Sequence, residues 1–351
     1  MDSLSDVLGE LRTIAAARTV GGAFDRFLDE EISIGRNTRS KASTSHLHLR
    51  SFLSGEIGRD ASFPRILSKE DDDFLGGSFA RHSKNWPLDD IDIYFPMDGH
   101  NLIYFRRGVP ASHTVVSDGV LQRNPLLDSP NRWMDGSFIS SRKLIDGFAK
   151  VLNRHYPTKT RVRRAGEAVN VEMSDLGFDI VPCFLLRLND PQSPDIYVIP
   201  DGKGGWKETN PRIDTAISSH LHATNGEFFR PAVKLVKWWN TERFTGQLSS
   251  YYVELAIMRS FFHNNQAGHF ISSLSDAVAT GFEAVREAVA VGDQPSWLLN
   301  GPAIKSDLLP FHRSLAKIAG CARDASTAEQ SGNAEYALNV WKVVFGDKFP
   351  A

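Results

Sequence analysis

Cysteine is nearly absent from this sequence. Its 351 residues include only two, Cys183 and Cys321, which lie far apart and do not form a CxxC pair. A disulfide framework and a cysteine-based zinc site are therefore not expected. Long apolar runs are missing as well, because the most apolar later stretch, residues 251–262, is interrupted by Glu254 and Arg259. It is also too short to span a bilayer.

The N-terminus lacks the features of a signal peptide. Residues 1–6 read MDSLSD, without the basic segment and the hydrophobic segment that direct secretion. We therefore expect a cytoplasmic protein that does not associate with a membrane.

The sequence also lacks an excess of basic residues. The chain carries 40 Lys and Arg residues against 42 Asp and Glu residues, which gives a formal net charge of −2. Proteins that grip long nucleic acids usually show a basic excess or a dense basic stripe, so nucleic acid is not expected as the substrate. A small charged ligand such as a nucleoside triphosphate needs only a local basic pocket. The hydrophobic content of 41% is ordinary for a globular protein and argues against global disorder.

Two closely spaced acids are the most informative feature that is present. Asp90 and Asp92 belong to a predicted strand, residues 90–95, in which apolar residues alternate with them. Residues i and i+2 of a strand point to the same face, so the two carboxylates project together. Such a pair is costly unless a positive group lies between its members. Mg²⁺, which prefers oxygen ligands, is the obvious candidate.

A glycine turn lies just upstream of these acids. Gly77 and Ser78 open a predicted helix, whose free N–H groups and positive dipole end suit a phosphate. Metal-binding acids beside a phosphate-binding turn indicate phosphoryl or nucleotidyl transfer.

A third acid, Asp179, stands alone in an apolar segment. Residues 177–184 (GFDIVPCF) predict a strand with Phe178 and Ile180 on one face and Asp179 on the other. If this strand neighbours the strand of Asp92, the three acids form one set.

Two basic groups leave alternatives open. Arg161, Arg163 and Arg164 form either a charged strand edge that blocks aggregation or a contact to a phosphate or an acceptor. Lys234 and Lys237 share one face of a predicted helix, where they are either solvated or in contact with a ligand.

The composition changes near residue 210, and we divide the chain there. Residues 1–210 are predicted to form a catalytic lobe with N-terminal helices, and residues 211–351 an α-helical lobe. Residues 107–138 are expected to be a long loop or insertion, and residues 201–206 a hairpin turn. Helices are predicted at 3–17, 23–34, 38–53, 140–156, 211–223, 227–240, 249–263, 272–290, 306–323 and 333–345, and further strands at 161–164, 168–173 and 196–200.

The spacing of Gly77-Ser78, Asp90-x-Asp92 and Asp179 resembles the polymerase-β-like nucleotidyltransferase superfamily. This superfamily has a bacterial branch related to cyclic GMP–AMP synthase, the CD-NTases of antiphage (CBASS) signalling. Other segments of the chain are similar to this branch and make the resemblance considerably more specific. Ser83 stands where family members often have threonine, so a hydroxyl is retained. The segments similar to this branch are Asn210-Pro211, Lys234–Asn240 (KLVKWWN), Ser249–Tyr252 (SSYY) and Trp341–Pro350 (WKVVFGDKFP).

This resemblance implies an α+β fold. It consists of a polymerase-β-like nucleotidyltransferase core, a mixed β-sheet with helices, plus a C-terminal helical lobe, with the active site in the cleft between them. The resemblance also implies that Asp90, Asp92 and Asp179 are catalytic and hold two Mg²⁺ ions, with Mn²⁺ as an alternative.

A nucleotide site is implied as well. Lys237 and Ser250 would contact the donor triphosphate, and Gly77 and Ser78 would bind its phosphates from the helix start. Tyr251 would stack on the donor base, unless that aromatic residue serves core packing instead.

The implied reaction joins nucleoside triphosphates (ATP, GTP or others) into a cyclic di- or trinucleotide second messenger and releases pyrophosphate. A linear, template-independent nucleotidyltransferase, such as an oligoadenylate synthetase-like or tRNA-tailing enzyme, would use the same acids. A non-catalytic nucleotide sensor is a further alternative. We expect a monomer with an effector encoded nearby. Some relatives are attached covalently through their last residue, so Ala351 is a candidate point for a conjugation partner.

Overall fold

The computed structural model describes residues 19–56, 59, 63–67, 74–107, 112–117, 124–156, 161–173, 176–187, 196–292 and 309–350. The helix predicted at residues 3–17 and the proposed attachment point Ala351 lie outside the described residues. Within the described ranges, no helix combines the length and the apolar character that crossing a membrane requires.

The chain divides into two compact units. The sheet unit comprises residues 36–80 and 87–213, and the helical unit comprises the segment up to Gly35, residues 81–86 and the chain from Asp214 onward. These units differ from the predicted lobes, because residues 19–35 and 81–86 join the helices that follow residue 214. The reason lies in side-chain contacts: Phe24 is fully buried in the helical core, and Arg81 is ion-paired to Glu254.

Helices and strands alternate through the sheet unit, whereas the helical unit is built from helices. The helices are α1 (Val20–Phe27, followed by a π-helical turn, Leu28–Ile32), α2 (Arg36–Glu56), α3 (Gly77–Ala80), α4 (Pro130–Trp133), α5 (Ser141–His155), α6 (Pro211–Thr224), α7 (Phe229–Glu242), α8 (Ser250–Gln266), α9 (Leu274–Ala290), α10 (Leu309–Gln330) and α11 (Ala334–Phe345), and a 3₁₀ turn spans Pro125–Asp128. The strands are β1 (Phe74–Leu75), β2 (Ile91–Met97), β3 (Leu102–Arg107), β4 (Ser112–Ser117), β5 (Met134–Asp135), β6 (Phe138–Ile139), β7 (Arg161–Ala165), β8 (Ala168–Glu172), β9 (Gly177–Leu186), β10 (Ile196–Pro200) and β11 (Trp206–Thr209).

The eleven strands of the described residues belong to one mixed sheet. Its main order is β1-β2-β9-β10-β11-β4-β6-β5, with β3 paired to β4, and with β7 and β8 forming a branch that joins at β9. The β2–β9 pair is parallel, whereas the other pairs are antiparallel. This mixture, together with the helices, confirms the predicted α+β class.

Alternation along the central strands determines what each face of the sheet carries. Ile91 and Ile93 of β2 and Phe178 and Ile180 of β9 are fully buried. The residues between them, Asp92 and Asp179 among them, point to the opposite face. Further along the strands this opposite face is covered by a second apolar cluster that includes Tyr94, Val181 and Cys183, so the two acids lie at the end of the sheet where β2 and β9 begin.

The helical unit closes its core with aromatic residues from both ends of the described chain. Phe24 of α1 packs edge-to-face on Trp341 of α11, with ring centroids 5.0 Å apart. Phe27 packs in the same way on Trp238 of α7, at 4.8 Å. Such pairs add to the stabilisation that comes from the buried apolar area.

Most predicted elements are confirmed, and one region was wrong. Helices predicted at 140–156 and 272–290 and the strand at 196–200 match α5, α9 and β10 closely. The loop predicted for residues 107–138 instead contains β4, which pairs antiparallel with β3 from Leu102↔Ser117 to Arg107↔Ser112. Cross-strand pairing has overridden the local preference of a Pro-, Ser- and Asp-rich segment.

Candidate active site

The parallel register of β2 and β9 brings two of the predicted catalytic acids together. Asp92 lies directly opposite Asp179, flanked by Ile91↔Phe178 and Ile93↔Ile180. Asp90, which we placed within the strand, comes immediately before its first residue, Ile91. Two carboxylates on neighbouring positions of a rigid sheet attract a cation and disfavour each other's charge in its absence.

The glycine turn lies against one of these acids. The amide of Gly76 donates a hydrogen bond to the carbonyl of Asp92, at 2.9 Å. Gly77 has a φ of 60° and begins α3. A Cβ on Gly77 would lie 1.7 Å from Oδ2 of Asp92, so only glycine fits this close approach. The turn predicted to bind phosphate therefore sits on the carboxylate predicted to bind metal.

The donor set fits magnesium in its chemistry. Mg²⁺ usually binds through one or two protein carboxylates together with substrate phosphates and waters, rather than in a cage made only of protein ligands. The Asp92–Asp179 pair supplies such carboxylates. Among the described residues, no group of three or more His, Cys, Asp or Glu side chains is already gathered in the arrangement of a metal site. The three-acid metal set thus stays a prediction.

A residue that sequence reasoning missed holds the third acid. The side-chain amide of Asn170, on β8, donates a hydrogen bond to Oδ1 of Asp179 at 2.8 Å. Asn170 is the one polar residue in the otherwise apolar Ala168–Val171 segment of its strand. A polar residue within an apolar strand was the signal that the sequence offered. Its role becomes visible only in the strand register, which places Asn170 opposite Asp179.

In the helical unit, the predicted triphosphate ligand Lys237 is buried. The residue is 4% exposed. Its Nζ donates a hydrogen bond to the carbonyl of Ser83 at 3.0 Å and lies 3.7 Å from Oε2 of Glu254. Its role in binding triphosphate stays a prediction, and the structure adds that this lysine holds the segment that directly follows α3 in the chain.

Glu254 is the centre of this buried cluster. Arg81 donates to both of its carboxylate oxygens, at 2.8 and 3.0 Å, and the hydroxyl of Ser83 donates to Oε1. Burial would raise the pKa of Glu254, but the charges of Arg81 and Lys237 and these hydrogen bonds lower it to about 2. Burial likewise would lower the pKa of Arg81, but Glu254 raises it above its ordinary value. Glu254 and Arg81 therefore stay charged at neutral pH.

The predicted residues Ser250 and Tyr251 begin α8. Ser249 caps this helix through a hydrogen bond from the amide of Tyr252, so Ser250 is its first helical residue and is exposed. The hydroxyl of Tyr251 donates to Oδ2 of Asp214 at 2.7 Å.

Tyr251 is also in contact with a cation. The guanidinium of Arg81 lies 5.4 Å from the centre of its ring. Burial is the main cause that raises the pKa of Tyr251 above its ordinary value, and burial also raises the pKa of Asp214. Tyr251 is still 38% exposed, so part of its ring is available to a ligand, and base stacking stays a prediction.

The three arginines with open alternatives are ion-paired at the edge of the sheet. Arg163 pairs with Glu172 and Arg164 with Asp146. Arg161 lies 4.0 Å from the same Glu172. These contacts favour the interpretation of a charged strand edge for Arg161 and Arg164, whereas Arg163 also reaches Asn170.

No protein-family model matches the chain. A probable cyclic nucleotide synthase from Bacillus cereus (strain VD146) is 26% identical over 352 residues, which cover 95% of this chain and 98% of that protein. A cyclic AMP-AMP-AMP synthase from Acinetobacter sp. (strain ATCC 27244 / 9458) is 24% identical over 190 residues, which cover 52% of this chain and 53% of that protein.

Two solved structures share the fold. They are those of CdnC from E. coli MS115-1, one in complex with HORMA-deltaN and one with ATP. Both have a TM-score of 0.60 at 17% sequence identity. They cover 94% and 95% of this chain and 98% and 99% of those chains. Similarity over the full length, in sequence and in fold, thus confirms the resemblance to cyclic nucleotide synthases of the CD-NTase type, and the chain shares the α+β fold of CdnC.

Proposed function

We propose that this protein is a metal-dependent nucleotidyltransferase that joins nucleoside triphosphates into a cyclic di- or trinucleotide and releases pyrophosphate. The observation that carries the proposal is the parallel register that puts Asp92 opposite Asp179, with Gly77 packed against the Asp92 carboxylate. The relatives support the cyclic product, because one is named a probable cyclic nucleotide synthase and another a cyclic AMP-AMP-AMP synthase.

In the proposed reaction a ribose hydroxyl attacks the α-phosphate of a donor nucleotide. A new P–O bond forms, the bond from the α-phosphorus to the bridging oxygen breaks, and pyrophosphate leaves. In this proposal Asp179 accepts the proton of the attacking hydroxyl, and Ser78 binds the donor phosphates. Two divalent cations held by Asp90, Asp92 and Asp179 would polarise the attacking and leaving oxygens.

The rigid sheet contributes orientation. Asp92 and Asp179 are fixed by ladder hydrogen bonds on both sides and by the buried residues that alternate with them. Holding reactants in a fixed geometry removes part of the entropic barrier to reaction. A second attack on the linear intermediate, in the same site, would close the ring.

The product distinguishes this proposal from a linear nucleotidyltransferase. The purified protein is incubated with Mg²⁺ and all four labelled nucleoside triphosphates, and the reaction is then treated with phosphatase. A cyclic product keeps its label, because it has no terminal phosphate. A ladder of phosphatase-sensitive products would contradict the cyclase and support a tailing or oligoadenylate synthetase-like enzyme.

The double variant Asp90→Asn/Asp92→Asn is the control for a catalytic role. We expect it to form no labelled product while its unfolding temperature stays equal to that of the wild type or rises. Unchanged product formation would contradict the enzymatic proposal and favour a nucleotide sensor.

We further propose that the product is a second messenger in antiphage defence. In this proposal the enzyme acts as a cytoplasmic monomer, with an effector encoded nearby that binds the messenger. Extracts of infected and uninfected cells, compared by mass spectrometry, test the idea. Absence of the cyclic product from infected cells that the gene protects would contradict a messenger role.

A further inference from the structure

Three neighbouring strands put a row of polar side chains next to the predicted catalytic acid Asp179. In the antiparallel register, Arg163 of β7 lies opposite Asn170 of β8, and Asn170 lies opposite Asp179 of β9. Directly opposite residues of antiparallel strands are close enough for their side chains to interact. The row therefore links the edge of the sheet to the candidate active site.

The hydrogen bonds along this row have a definite direction. Nε of Arg163 donates to Oδ1 of Asn170 at 3.4 Å, and Nδ2 of Asn170 donates to Oδ1 of Asp179 at 2.8 Å. An asparagine amide can be turned either way, and its neighbours decide which atom is the donor. Arginine has no acceptor, so its contact fixes the amide oxygen toward Arg163 and the amide nitrogen toward Asp179.

Burial makes the inner bond stronger than a surface contact. Asn170 is 6% exposed, and a hydrogen bond to an ionised carboxylate is about twice as strong as one between neutral groups. Arg163 lies further out, with its side chain 51% exposed, and its position is set by the ion pair with Glu172. The buried bond holds the carboxylate, and the outer pair holds the buried amide.

We propose that Asn170 is a positioning residue, which holds the Asp179 carboxylate in the orientation that binds the divalent cation, and that Arg163 fixes the Asn170 amide for this role. The proposal rests on the proposed nucleotidyl-transfer function. Groups that orient a metal ligand typically change metal affinity or activity about 10- to 100-fold when they are removed. Neither Asn170 nor Arg163 needs to touch the nucleotide.

The test compares Asn170→Leu, Arg163→Met and Arg164→Met with the wild type. Leucine keeps the branched shape of asparagine and removes the donor. Arg164 is the matched control, because it lies beside Arg163 on β7, is similarly exposed at 45%, and pairs with Asp146 rather than with Asn170. Two readouts are used: binding of Mn²⁺ alone to the protein, followed by electron paramagnetic resonance, and pyrophosphate release from ATP.

We expect Asn170→Leu to bind Mn²⁺ about 10- to 100-fold more weakly and to lose kcat, with little change in KM for ATP. Arg163→Met should show a smaller loss of the same kind, and Arg164→Met none. Wild-type Mn²⁺ binding and kcat in both Asn170→Leu and Arg163→Met would overturn the proposal. If Asn170→Leu does not fold, the difference between Arg163→Met and Arg164→Met decides, since both positions are at the surface.

If the proposed nucleotidyl-transfer function is wrong, the same experiment gives a different result. A wild-type protein that neither binds Mn²⁺ nor releases pyrophosphate from any nucleoside triphosphate would overturn the proposed function, and with it the role of Asn170. A wild type that does both, with Asn170→Leu indistinguishable from it, would overturn the role of Asn170 alone.

Discussion

The two groups of charged residues in this protein are built on opposite principles. On the sheet, Asp92 and Asp179 put two like charges side by side in register. In the helical unit, Glu254 is surrounded by the opposite charges of Arg81 and Lys237 and is not exposed at all. In the proposed function a bound cation offsets the repulsion in the first arrangement, whereas in the second the charges of Arg81 and Lys237 offset that of Glu254. Like charges gathered on one face of a sheet thus indicate a site that binds a cation, and opposite charges buried together indicate a role in stability.

Asp92→Asn tests the first half of this comparison and should have the largest effect. In the proposed function this change removes a metal ligand, and we expect pyrophosphate release to fall about a thousandfold, which corresponds to about 4 kcal/mol in the barrier. The unfolding temperature should stay equal or rise, because a like-charge contact is relieved. Asp146→Asn, at an exposed position outside the site, is the control and should be fully active. A clearly lower unfolding temperature for Asp92→Asn would contradict the comparison.

Glu254→Gln tests the second half. Arg81 and Lys237 would be left buried without their shared counter-charge, and breaking a buried ion pair in this way costs about 3–5 kcal/mol of the free energy of unfolding. Urea unfolding followed by circular dichroism measures this loss. The control is Glu287→Gln, because the side chain of Glu287 is 63% exposed and its nearest cation is 3.5 Å away. Equal stability of the two variants would show that the buried cluster is not structural.

Gly77→Ala sharpens the comparison without changing any charge. The new Cβ would collide with Oδ2 of Asp92, so the carboxylate must move, and we expect a loss of activity comparable to that of Asp92→Asn. Gly136→Ala is the matched control, because Gly136 has a φ of 62° but nothing within 4 Å of the added Cβ. It should lose only about 1–2 kcal/mol of stability and stay active. Equal kcat in the two variants would contradict the predicted close approach.

The pH dependence of stability gives the smallest and most specific effect. The pKa of Glu254 is about 2 in the folded protein and about 4.3 in an unfolded chain. The ionised Glu254 therefore contributes fully to the free energy of unfolding at pH values above its unfolded-state pKa, and this contribution is lost as the pH falls toward 2. The stability difference between the wild type and Glu254→Gln should be constant from pH 7 to about pH 5 and then shrink. Urea unfolding at several pH values measures this stability difference. A difference that grows on acidification would contradict the prediction.

The sequence predicted features that are written in short segments. Alternating apolar residues around Asp92 and Asp179 indicated buried strands, and helical spacing indicated α5 and α9. These patterns depend only on neighbours within a few residues, so they can be read without knowledge of the fold.

What the sequence did not reveal depends on pairing between distant segments. Glu254 looked like an interruption of an apolar stretch, and its partner Arg81 is 173 residues away in the chain. Asn170 has a role only through the register of β8 with β9. The strand β4 exists because β3 pairs with it, against the composition of its own segment.

The aromatic core of the helical unit has a consequence for how the chain folds. Phe24 near the start of the described chain packs on Trp341 and Phe349 near its end. During synthesis, all the described strands of the sheet unit are present once residue 209 has emerged. Phe24 of α1, in contrast, must wait for Trp341 of α11 and for Phe349 before its ring is covered. Closing such a distant contact is slow, because the loop entropy is lost before the contact is gained. The helical unit should therefore be the last to form, with α1 exposed to aggregation until the final helix has been made.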